Sequence, residues 1–133
     1  MTPEVAAVFD SFPTSAQDIL FGIRRLIFEI ANGSPDIGPL KEALRWGQPA
    51  YLTPSGAGST IRLGMTKTGE PALFVHCRTS LIEDFRPLAP KSMRFEGRRA
   101  VLFEEKSRPD KESLALLIRA ALSYHRRSER VAG

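Results

Sequence analysis

The sequence predicts an α+β fold: a two-layer sandwich with an antiparallel sheet of about five strands and the N- and C-terminal helices packed on one face. Two observations carry this. Apolar residues recur at helical spacing near both ends of the chain, while between them the period falls to two. The alternating runs are separated by short segments rich in Gly, Pro and Asn, the chemistry of hairpin connections. Helices flanking a block of such strands bury their apolar stripes against one side of the sheet. With no internal repeat and no linker, residues 1–133 read as one domain.

Thr2 before Pro3 is an N-cap with proline at the first helical position, opening a short helix to about Asp10 that Phe12-Pro13 breaks. Thr14 and Gln17 have capping-box spacing for a longer helix, with Ile19, Ile23, Leu26, Ile27 and Ile30 as its core stripe and Asn32-Gly33 as its stop. Phe21 and Phe28 fall on the other side beside Arg24 and Arg25, and call for cover from the first helix or a partner subunit. Residues 35–44 read as a turn with at most one helical turn. The only Trp stands in Arg45-Trp46-Gly47-Gln48-Pro49-Ala50-Tyr51, where Gly47 and Pro49 forbid an ordinary helix. That run reads as a fixed bend where helix gives way to sheet.

Strands are expected over 50–53, 60–66 and 72–77, joined by the Gly-rich 55–59 loop and by Thr68-Gly69-Glu70. Alternation puts Ile61, Leu63 and Met65, and then Leu73, Val75 and Cys77, on one face; Arg62, Phe74 and His76 take the other. Ser80 and Glu83 are spaced to cap a short helix that ends before Pro87 and Pro90. Residues 92–96 and 99–104 form a hairpin about Gly97. A two-residue loop would align Met93 and Phe95 with Ala100 and Leu102. A loop one residue longer aligns them with Val101 and Phe103, which buries more apolar area and is the expected register. Asp110 caps the last helix, striped by Leu114, Leu117, Ile118, Ala121, Leu122 and His125, and the basic tail 126–133 is expected to fray.

The net charge of +4 is uneven: residues 1–85 carry 7 Lys/Arg against 9 Asp/Glu, and residues 86–133 carry 12 against 6. Excess Arg without interleaved aromatics is a weak nucleic-acid signal, so such a partner is not expected. A single cysteine excludes an internal disulfide and suits a reducing compartment. Met1-Thr2-Pro3-Glu4 lacks the features of a secretory leader, and no apolar run approaches the ~20 residues of a membrane span. A cytoplasmic protein with no membrane partner is the expectation.

Motif chemistry is sparse. The chain has no Walker A pattern, dinucleotide fingerprint, paired-His zinc motif or nucleophile elbow, so no catalytic residue, metal ligand or cofactor is assigned. Ser55-Gly56-Ala57-Gly58 reads as a hairpin tip. Cys77 shares a face with Leu73 and Val75 and reads as an inert small hydrophobe, with His76 on the opposite face out of its reach. His125 reads as a helix-end residue. What stands out is the second sheet face: Arg62, Phe74 and His76, with Tyr51 joining them, offer charge-assisted hydrogen bonds and stacking to an anionic or aromatic ligand. The competing expectation is a wet face, or one covered by a second copy in a homodimer. Arg78-Thr79-Ser80 forms a second candidate locus for an anion.

Trp46-Gly47-Gln48-Pro49-Ala50-Tyr51 resembles the aromatic-Gly-x-Pro-x-aromatic element of the YdhG-like domain family, a group labelled a domain of unknown function. The likeness continues through Ile61-Arg62-Leu63-Gly64, the 72–77 strand, Arg94-Phe95-Glu96-Gly97-Arg98-Arg99-Ala100 and the closing helix, covering about 14–124. The resemblance implies a frataxin-like sandwich with Trp46, Gly47, Gln48, Pro49 and Tyr51 as its fold signature, and it carries no catalytic assignment. Some members are linked to intracellular iron handling. Iron on oxygen ligands needs several hard donors together, whereas Glu4, Asp10, Asp18 and Glu29 are scattered over the first two helices, so the resemblance does not extend to that role.

Overall fold

The computed structural model of the chain describes residues 1–54, 56, 58–104 and 109–124. In chain order these form α1 (Pro3–Ser11), α2 (Thr14–Asn32), β1 (Lys41–Arg45), β2 (Gln48–Leu52), β3 (Ile61–Met65), β4 (Pro71–Phe74), α3 (Leu81–Phe85), β5 (Arg94–Glu96), β6 (Ala100–Leu102) and α4 (Lys111–Leu122). The six strands make one antiparallel sheet in the order β1-β2-β3-β4-β6-β5. Tyr51, Ile61, Leu63, Leu73 and Val101 from the sheet meet Leu20, Ile23 and Ile27 of α2 and Leu114, Leu117 and Ile118 of α4 in one buried cluster. This is the expected two-layer α+β architecture, with one strand more than predicted.

The extra strand is β1. Leu44 packs against the core and Lys41 and Arg45 are exposed, but at the centre the alternation is inverted in polarity: Glu42 pairs with Tyr51 on the helix side, while Ala43 pairs with Ala50 on the other. A charged residue facing inward and an alanine facing outward erase the apolar-polar signal, so residues 41–44 do not read as a strand. Residues 46–47 are therefore not a helix-to-sheet bend. Arg45 pairs with Gln48, and the two residues between have φ of +57° and +74°, the type I′ hairpin conformation. Trp46 is the only non-glycine described residue with positive φ, and at 90% exposure its indole packs on nothing. Since Asn is well suited to this position and a bulky residue is not, Trp46→Asn is expected to stabilise the fold by about 1 kcal/mol and raise Tm by roughly 4 °C in calorimetry. An unchanged or lower Tm would mean that the indole supports the fold.

Helix ends follow the sequence in part. Thr2 Oγ1 accepts from the Val5 N–H at 3.3 Å, and Asp110 Oδ1 accepts from the Ser113 N–H at 3.4 Å. Neither expected capping box closes. Gln17 Nε2 donates to the Phe12 and Asp10 carbonyls at 3.0 and 3.3 Å, tying α2 to the end of α1. Glu83 pairs with Arg98, and Ser80 Oγ donates to Asp84 Oδ2 at 3.0 Å. Phe21 stacks on Phe9 of α1 with ring centroids 4.5 Å apart, and Phe28 meets the edge of Tyr51 at 5.6 Å, so the chain itself covers both.

The β5–β6 hairpin adopts the longer loop, with Glu96 opposite Ala100 and Phe95 opposite Val101 on the core side. Strand β4 is shorter than expected. After Phe74 only the Val75 N–H remains tied to the sheet, donating to the Arg99 carbonyl at 2.7 Å, and the chain then turns, with the Thr79 N–H donating to the His76 carbonyl at 3.1 Å. Alternation ends with the strand, so Cys77 is exposed and does not share the buried face of Leu73 and Val75. His125 and the tail 126–133 lie outside the described residues, as do Ser55 and Ala57 of the 55–59 loop.

Candidate functional site

The sheet face away from the helices is built by register. Ala50, Arg62, Phe74 and Ala100 lie in one row across β2, β3, β4 and β6. Phe74 is 9% exposed because the Arg62 guanidinium lies over its ring, 5.6 Å from the centroid. Arg62 Nη1 donates to Gln48 Oε1 at 2.8 Å. Gly64 makes room for that amide: a Cβ there would stand 2.7 Å from Gln48 Nε2. Desolvation, helped by the nearby positive charge of Arg99, lowers the pKa of Arg62 below its ordinary value. The guanidinium is thus fixed over an aromatic ring and short of counter-charge.

Tyr51 does not belong to this face. It pairs with Ile61, one position out of step with Ala50 and Arg62, and is fully buried on the helix side. The sequence shows the two strands but not their mutual register, and a one-residue offset decides the face. There the Tyr51 hydroxyl donates to Glu42 Oε2 at 2.9 Å, and Arg24 of α2 grips the same carboxylate through Nε to Oε2 and through Nη2 to Oε1 at 3.1 Å. Burial, reinforced by the Glu42 charge, pushes the phenol pKa well up, so it remains a neutral donor. Desolvation alone would raise the Glu42 pKa, but the hydrogen bonds from Arg24 and Tyr51 with the Arg24 charge prevail and hold it below the usual carboxylate value.

Arg62, His76 and Arg78 do come together. They line a cleft of about 510 Å³, within the range of small-ligand sites. Sequence reasoning gave two separate loci, and the turn after β4 joins them by carrying His76, Arg78 and Thr79 beside Arg62. His76 Nδ1 accepts from the Arg78 N–H at 3.1 Å, which leaves the proton of the neutral imidazole on Nε2. Thr79 Oγ1 donates to the His76 carbonyl at 2.7 Å, so the turn is braced from within.

The remaining walls were not foreseen. The β1–β2 hairpin contributes Arg45 and Trp46, the segment before β3 contributes Ser59 and Thr60, and Tyr124 closes the side beyond α4. Tyr124 comes from the far end of the chain, where no local pattern marks it. A signal for Trp46 did exist, as a bulky residue before Gly in a two-residue turn, but it is visible only once β1 is known to be a strand.

Among the residues lining the cleft are three arginines. Arg24, Arg94, Arg98 and Arg99 pair with Glu42, Glu70, Glu83 and Glu96. Among the described residues no carboxylate pairs with Arg45, Arg62 or Arg78, and none lines the cleft. Among the described residues, too, no three His, Cys, Asp or Glu side chains gather within reach of one metal ion, and no helix is long and apolar enough to cross a membrane. Comparison with protein-family models, curated proteins and solved structures gives no match.

Proposed function

We propose that the protein is a non-catalytic module that binds a small anion in this cleft. The observation that carries the reading is the convergence of Arg45, Arg62 and Arg78 in one concavity where, among the described residues, no carboxylate neutralises them. Such a site draws anions electrostatically and holds them through oriented guanidinium donors. The same proposal places the chain beside the YdhG-like domains, supported by the Trp46-to-Tyr51 element, and in a reducing, cytoplasmic setting, supported by the lone, exposed Cys77.

Titration with inorganic pyrophosphate, followed by calorimetry and by the fluorescence of the single Trp46, tests the reading. Saturable binding that weakens as salt is added is expected. Arg62→Met keeps the aliphatic cover over Phe74 while removing the charge, and is expected to lose affinity roughly ten-fold or more with little change in the unfolding midpoint. Unchanged affinity in Arg62→Met, or no saturable signal at millimolar pyrophosphate, would refute the reading.

A further inference from the structure

We propose that the ligand is a mononucleotide, its phosphate held by the cleft arginines and its base stacked on Trp46. This rests on the anion-binding reading above and assigns the part of the ligand that the arginines do not touch.

The argument starts from the position of the indole. Trp46 lines the same cleft as Arg45, Arg62 and Arg78, yet it is 90% exposed, so its flat faces contribute nothing to the core. It stands at φ +57° in a tight hairpin turn, a conformation that suits Gly, Asn or Asp and strains a bulky aromatic. A large aromatic held open in a strained turn beside a cationic cleft is a platform in search of a planar partner. Arg45 precedes it in the same turn, and its Nη1 donates to the Leu44 carbonyl at 2.9 Å. A phosphate held by these guanidiniums therefore has an aromatic surface at the same cleft wall. The hydroxyls of Ser59, Thr60 and Thr79 line the cleft as well and match the polar sugar between base and phosphate. A sugar phosphate would satisfy the cations and hydroxyls but leave the indole bare. A purine fills that role too, because base-aromatic stacking is strong and tolerant of base identity.

Calorimetric titrations at fixed ionic strength with AMP, ribose 5-phosphate and adenosine, on the full chain and on Trp46→Asn and Trp46→Phe, decide the matter. AMP is expected to bind roughly ten-fold more tightly than ribose 5-phosphate, and adenosine more weakly than AMP. Trp46→Asn, whose side chain suits the turn, is expected to erase the AMP advantage and leave ribose 5-phosphate unaffected. Trp46→Phe keeps a ring and is expected to retain part of the advantage. Equal affinities for AMP and ribose 5-phosphate, or an AMP advantage that survives Trp46→Asn, would overturn base stacking while leaving the anion site standing. If neither phosphate compound binds, the anion-binding reading fails and this inference fails with it.

Discussion

Glu42→Ala is expected to lower the unfolding free energy by about 3 kcal/mol, seen as a Tm reduced by roughly 10 °C. The Glu42 side chain is only 8% exposed and is the shared acceptor for Arg24 and Tyr51. Its removal leaves a fully buried phenol donor without an acceptor and a half-buried guanidinium without its counter-charge. Tyr51→Phe deletes one neutral donor and leaves the ion pair intact, so it is expected to cost only about 1 kcal/mol. The pH dependence follows from the same group. The folded state holds the Glu42 pKa below the ordinary carboxylate value, so its stabilisation is fully present above pH ~4.5 and is lost as pH falls through the lowered value. Denaturant titrations of the native protein and of Glu42→Gln are therefore expected to differ most at neutral pH and to converge as pH falls through the lowered value. A gap that stays constant down to acid pH would show that the carboxylate charge is not what the network uses.

Gly58→Ala is expected to be comparably damaging, at about 3 kcal/mol, for a steric reason. A Cβ on residue 58 would sit 2.5 Å from the Leu122 carbonyl oxygen and 2.7 and 2.8 Å from the carbon atoms behind it. These are backbone atoms at the end of α4, and no rotamer change clears them. The next residue fixes the approach, since the Ser59 N–H donates to the Ala121 carbonyl at 2.7 Å. The alanine must therefore push the loop off the helix, breaking that hydrogen bond and disturbing the Ser59 wall of the cleft. Chemical denaturation measures the loss, and a cost below about 1 kcal/mol would mean that the loop has room to retreat.

Periodicity made the helices legible because Ile19, Ile23, Ile27, Leu114 and Ile118 are simple apolar stripes with no competing chemistry. The hairpin was legible from its turn at Gly97, and its register from buried area. What failed was whatever depended on a second element. Gln17 and Glu83 have capping-box spacing, yet the end of α1 and the tip of the β5–β6 hairpin offer them better partners. β1 was hidden because its central inward residue, Glu42, is a carboxylate whose partners come from α2 and β2. Tyr51 was assigned to the wrong face because register is a relation between strands. The candidate site shows the same division. Arg62, His76 and Arg78 were identifiable as residue types with binding chemistry, but their union with Trp46 and Tyr124 is a product of the tertiary fold.

The strand order leaves β1 and β5 as the two ends of the sheet. The outer rim of a terminal strand can recruit another copy of the chain, and repetition of that step gives fibres. β5 is three residues long and carries Arg94 and Glu96, too short and too polar to template much. β1 is longer, and its protection lies in its sequence. An antiparallel pairing of two β1 strands centred on Ala43 would place Lys41 of each copy directly opposite Arg45 of the other, stacking like charges at both ends of the contact. The same Arg45 that lines the cleft thus also opposes edge-to-edge pairing at the rim of the sheet.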